Sequence, residues 1–437
     1  MIKFPVLGER LYLRSPSINV CFRLIIDKIF EKNEIEKAIE KICTIHPFLN
    51  SFLETDNKNG VWLVQKNENI KIEFCKSNES DWQAWYKEND KTVFDFSKGP
   101  LVKFCVITGV KTEIIILGHH VIGDGVGYLN MVKDILSALD NKIDTSERAP
   151  SAAQIPPFED KDKYFKDTVL LDAGVDSYAE GLNSEWRKNR IGFSEKEYID
   201  FFEHYRDVFS PALYTASVAA DDAGKILEKS KANGLTVNEL FASAFSEAAM
   251  EKLNKNEIRL GIAANIRGEL VSEPNNCMGN FVTGISVKVN NNPSDDFISN
   301  AKYVSVLLRE QLSNLKNRHL AVHFLGKFDN DLLELIMPAA YGNLDHPVPK
   351  KLAELIGELP ENKAVGVSNL GRHNFSGFKD FKVLDIQFIC PAFPANLITA
   401  GIITVNDKFN FCLRYNEAEL NADVVQAIWE KAVKLLV

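Results

Sequence analysis

Nowhere in the 437 residues do about 18 uncharged apolar residues follow one another, the length a helix needs to cross a bilayer. The stretch from Met1 to Arg14 lacks the unbroken apolar core of a signal peptide, because Lys3, Glu9 and Arg10 interrupt it. No membrane span and a cytoplasmic location are therefore expected. Basic clusters are missing too. The chain carries 51 Lys and Arg against 60 Asp and Glu, a formal charge of −9, so it offers no positive footprint for nucleic acid or an anionic membrane. Its seven cysteines are odd in number and scattered, with no C-x-x-C pair, which argues against a disulfide framework and a zinc ribbon. No repeat of about 20 to 50 residues recurs, so solenoids and propellers are set aside.

What remains is ordinary globular composition, 45% hydrophobic and 25% charged, long enough for more than one domain. Strand patterns run over 19–27, 61–65, 70–75 and 102–108, and Ile35, Ala38, Ile39 and Ile42 mark a helix over 34–44. The run Ile114-Ile115-Ile116-Leu117 predicts a strand, 113–119, covered on both faces. A helix follows, with Leu129, Val132, Ile135, Leu136 and Leu139 at helical spacing. Between 141 and 160 the pattern gives way to a polar stretch with Pro150, Pro156 and Pro157. The expected division is a first lobe, 1–160, a crossover at 141–175, and a second lobe, 176–437. The second half reads as helices at 236–253, opened by a Thr236/Glu239 capping box, 297–315 and 422–436. Its strands read at 259–264, 281–289, 364–368, 383–389 and a hairpin over 397–415 turning at Asn406-Asp407. Both halves are mixed sheet-and-helix units, an α+β class.

The chemistry is concentrated in Gly118-His119-His120-Val121-Ile122-Gly123-Asp124-Gly125-Val126-Gly127, which puts two of the eight histidines at the end of a buried strand. Rigid strand and exposed loop meet there, and a neutral imidazole can accept a proton near neutral pH. Adjacent strand residues face opposite ways, so one histidine is expected to be catalytic and the other structural. The same divergence argues against a zinc site of His119, His120 and Asp124. Asp124 also reads as a helix N-cap and the glycines as a tight turn needing positive φ. A phosphate loop fits poorly, since the third glycine of G-x-G-x-x-G falls on Tyr128. His319 and His323, four apart with no accompanying Glu motif, are expected on a solvated helix face. No G-x-S-x-G elbow supplies a nucleophile, because Gly366-Val367-Ser368-Asn369-Leu370 lacks the last glycine.

His119-His120-Val121-Ile122-Gly123-Asp124-Gly125 resembles the H-H-x-x-x-D-G signature of the chloramphenicol acetyltransferase-like superfamily of thioester-dependent acyltransferases. That group includes nonribosomal peptide synthetase condensation domains, alcohol acetyltransferases, plant BAHD acyltransferases and mycobacterial polyketide-associated acyltransferases. Further similar segments follow in order: His46 to Phe52, Gly99 to Phe104, Asn265-Ile266-Arg267, Gly279-Asn280-Phe281 and Ser368 to Gly371. The D-F-G-W-G element of the BAHD branch is absent, and Gly127 stands where condensation domains often carry Ser.

The resemblance implies two chloramphenicol acetyltransferase-like lobes in a V, with the active site in a tunnel between them. It implies that His120 is the general base and His119 a supporting residue. Asp124 would brace the loop through an ion pair with Arg267, and the Gly125 backbone donor would receive the oxyanion. Asn280, Ser368 and Asn369 would line the substrate site, with no metal and no bound cofactor. Acyl-coenzyme A or acyl-phosphopantetheine would be the co-substrate, a small-molecule alcohol or amine the acceptor, and an acyl or peptidyl carrier protein a candidate partner. Two alternatives accompany this expectation: a freestanding condensation enzyme making an amide from carrier-tethered substrates, and a non-catalytic member that only binds or scaffolds.

Overall fold

The computed structural model describes residues 3–66, 69–77, 81–143, 164–167, 169, 172–192, 195–290, 296–342, 344–357 and 363–437. Most of the expected crossover, with its three prolines, lies outside the described residues. Among the described residues three sheets organise the fold. A small one orders β1 (Lys3–Val6), β4 (Val61–Gln65) and β3 (Ser51–Thr55). A five-stranded sheet runs β12 (Val383–Ile389), β2 (Asn19–Ile26), β7 (Thr112–His119), β6 (Val102–Thr108) and β5 (Ile72–Lys76). A six-stranded sheet runs β10 (Val282–Asn290), β9 (Glu257–Asn265), β11 (Ala364–His373), β13 (Asn396–Val405), β14 (Lys408–Asn416) and β8 (Pro211–Val218). Both larger sheets are mixed: β5 runs parallel to β6, and β11 runs parallel to both its neighbours.

Amphipathic helices cover these sheets for the reason their spacing gives. In α2 (Lys32–Ile45) the buried set is Ile35, Ala38, Ile39, Ile42 and Ile45, one stripe turned onto the first core. A capping box of Glu31 and Glu34 starts that helix, and Thr236 with Glu239 does the same for Val237–Lys252. The Asn406-Asp407 turn between β13 and β14 has φ of 50° and 62°, both in the left-handed region that a two-residue hairpin demands.

The two larger sheets are not separate stretches of chain. β12 comes from the second half yet pairs antiparallel with β2 of the first, Phe388 opposite Phe22. It also packs on β13 and β14. That approach needs Gly401, where a Cβ would lie 2.5 Å from the Phe388 carbonyl oxygen. A buried ion pair spans the same junction: Arg414 Nη2 on β14 meets Asp90 Oδ2 at 2.6 Å, at the end of α3 (Trp82–Asp90), and Asn19 Nδ2 of β2 donates to Asp90 Oδ1.

β8 was not foreseen. It opens on a proline and carries two alanines, a weak strand signal that an edge position tolerates.

Candidate active site

β7 delivers His119 and a single helical turn, His120–Ile122, before Gly123 and α4 (Gly125–Leu139). The two histidines meet different surroundings, their side chains diverging as those of adjacent strand-end residues do. His119 turns into packing, its ring edge-on to Phe94 and Phe96 and its Nδ1 accepting the Val121 N–H at 3.1 Å. Burial, aided by the neighbouring His120, holds its pKa down to about 3, so the ring is neutral. His120 lines a cavity of about 400 Å³ shared between the lobes.

The tautomer of His120 follows from Asn280. The Asn280 amide nitrogen donates to the His120 and Val121 carbonyls at 2.8 and 3.3 Å, which turns its oxygen to His120 Nδ1 at 2.7 Å. Nδ1 must therefore carry the hydrogen, and Nε2 keeps its lone pair. Burial lowers the His120 pKa, against smaller opposing effects from Asp124 and Asn280, so the ring is neutral at neutral pH. Tyr12, on α1 (Arg10–Leu13), stacks on the imidazole with centroids 4.4 Å apart and planes 30° apart. Ring orientation is thus held by a hydrogen bond in its plane and an aromatic face.

Asp124 is both cap and brace. Oδ1 accepts the Gly127 N–H, and its two oxygens receive Arg267 Nη1 and Nη2, each at 2.8 Å. The Phe281 N–H also donates to Oδ2, and the Asp124 N–H donates to the Gly279 carbonyl. Both carboxylate oxygens are engaged by the protein. Arg267 and Asp124 are almost wholly buried, and Arg267 lies over the Phe281 ring.

The positive φ expected of the glycines does not occur. Gly123 is extended at φ 170° and Gly125 and Gly127 are helical. They are needed for close approach: a Cβ on Gly125 would lie 2.9 Å from the Phe388 ring, and one on Gly127 3.3 Å from Met278 Cα.

Gly125 lines the cavity at the first position of α4, where a backbone N–H has no acceptor within the helix. Ser368 lines it as well. Asn369 is not among the lining residues; its side chain accepts the Gly371 N–H where the register of β11 against β13 shifts between Asn369 and Arg372. His319 and His323 are buried, not solvated: Phe165 packs on both rings and Glu269 hydrogen-bonds His319. Between them Val322 reaches the cavity wall.

Sequence reasoning did not single out Glu9 and Tyr12, which line the same cavity. The signal was present in Glu9-Arg10, two charges in an apolar segment. Arg10 is pinned by Glu334, at 2.6 Å through Nε, and by the Asn59 carbonyl, which sets α1 over His120.

This architecture is the chloramphenicol acetyltransferase-like fold. Trichothecene 15-O-acetyltransferase from Fusarium sporotrichioides superposes with a TM-score of 0.69 at 14% identity, over 99% of this chain and 95% of that one. The condensation domain from Monacolin K polyketide synthase does so with a TM-score of 0.64 at 11% identity, over 100% and 97%. Among curated sequences, bacitracin synthase 1 of Bacillus licheniformis is 22% identical over 347 residues, 74% of this chain and 6% of that protein. The hybrid PKS-NRPS synthetase ucsA of Acremonium sp is 24% identical over 145 residues, 32% of this chain and 4% of that protein. The chain thus spans a small fraction of the length of the curated relatives it matches. No protein-family model matches it.

Proposed function

We propose that this protein is an acyltransferase that moves an acyl group from a thioester to an alcohol or amine, with His120 as the general base. The observation that carries this reading is the Asn280–His120 pair, which leaves an unprotonated Nε2 on an imidazole lining the interlobe cavity. In the proposed reaction His120 Nε2 takes the proton from the acceptor as that atom attacks the thioester carbonyl. The tetrahedral intermediate places its negative charge within reach of a backbone donor, for which Gly125 N–H is the candidate. Collapse breaks the carbon–sulfur bond, and the imidazolium returns the proton to the departing thiolate. The donor would be acyl-coenzyme A or an acyl group on a carrier protein's phosphopantetheine, and the acceptor a small molecule. Asp124 and Arg267 would act as positioning residues, since their charged groups are spent on each other.

The test is thiol release from acyl-coenzyme A and acyl-pantetheine thioesters with a panel of alcohols and amines. His120→Ala is expected to lose about 10²–10⁴-fold in rate while keeping its melting temperature. Full turnover in that variant would sink the assignment.

Condensation is a second reading, favoured by the superposition on condensation domains and the match to a peptide synthetase. It would be distinguished by amide formation only when the donor is tethered to a carrier protein.

A further inference from the structure

We propose that Glu9 is a specificity-determining residue, its carboxylate receiving a protonated amino group on the acceptor. This deepens the acyltransferase reading and rests on it. Glu9 is 5% exposed and sits in the wall of the His120 cavity, one helical turn from Tyr12, which stacks on that imidazole. One carboxylate oxygen, Oε2, accepts the Leu7 N–H at 3.2 Å. The Glu9 backbone N–H also hydrogen-bonds the carboxylate, and among the described residues no other donor and no cation pairs with Glu9.

Two neighbouring cations are held by other carboxylates: Arg10, next in sequence, turns away to Glu334, and Arg267 is held by Asp124. Arg259, which also lines the cavity, gives Nη1 to the Gly357 carbonyl at 3.0 Å and leaves its buried Nε without a partner among the described residues. Much of the remaining wall is apolar, including Leu11, Ile262, Val282 and Val322.

A buried carboxyl without a counter-ion destabilises a fold, and here burial holds its pKa up to about 7. A hydroxyl offers it one neutral hydrogen bond. An ammonium group supplies the absent charge together with up to three donors, and charge-assisted bonds of that kind are the stronger ones. An acceptor bearing a basic amine beside its nucleophilic group therefore gains most from this wall; the ammonium held by Glu9 has no lone pair and is not itself the nucleophile.

The experiment is calorimetric titration of the full chain with two probes matched in apolar length, hexylammonium and 1-hexanol, without any acyl donor. Wild type is expected to bind hexylammonium about tenfold more tightly. Glu9→Gln, which keeps an acceptor for the Leu7 N–H, should abolish that preference and leave 1-hexanol binding unchanged. Glu9→Met serves as the second variant should the first not fold, and it too should lose the preference for hexylammonium. Equal binding of both probes to wild type, or a preference that survives in the variants, overturns the proposal. Neither probe needs a thioester, so the two readings fail separately. Acyl transfer with no ammonium preference overturns the role of Glu9 alone. Ammonium preference lost in the variants without any transfer supports Glu9 and overturns the acyltransferase.

Discussion

At the scale of single residues, the two histidines, equally buried, show how their partners divide like side chains. His119 has a ring in apolar packing and a pKa near 3, against about 6.5 for an imidazole in an unfolded chain. The unfolded state therefore binds the proton first as pH falls below 6.5. Stability should decline from there toward pH 3, at about 1.4 kcal/mol per unit within that window. His119→Asn keeps an acceptor for the Val121 N–H and removes the titration. Denaturant unfolding at pH 6.5 and 4.5 should show a smaller acid loss in the variant, and an equal loss would contradict the assignment. The motif itself was legible in sequence because its chemistry is contiguous. Glu9, Tyr12 and the tautomer-setting geometry of Asn280 were not, because their roles exist only once α1 and the segment before β10 meet the strand end. His319 and His323 were misread for a related reason: a helical spacing gives a face, and only tertiary packing decides what covers it.

At the scale of elements, the start of α4 and the loop before β10 are clasped by Asp124. Its carboxylate receives one bond from its own helix, two from Arg267 and one from the Phe281 amide. Asp124→Asn removes the charge and leaves Arg267 buried without a counter-ion, a change that typically costs about 3–5 kcal/mol. Lower melting temperature and lower activity should appear together. A variant that is inactive with unchanged stability would point to direct action of Asp124 on substrate. Most elements were readable from periodicity, as with the isoleucine stripe of α2 and the apolar run of β7. β8, an edge strand opening on proline, was not, since its pairing with β14 supplies what its composition lacks.

At the scale of the whole molecule, the first lobe borrows a strand. β12 completes the five-stranded sheet from far along the chain, and with Gly401 and the Arg414–Asp90 pair it ties the two larger sheets together. A fragment ending at Lys382 should therefore fail to unfold cooperatively in denaturant and should associate, because one edge of β2 is bare. A sharp two-state transition from that fragment would contradict this. The same strand imposes an order on biosynthesis. On the ribosome β2, β7, β6 and β5 emerge before β12, and their sheet stays open on one side until translation has passed Ile389, so nascent chains must be kept from pairing with one another through that interval.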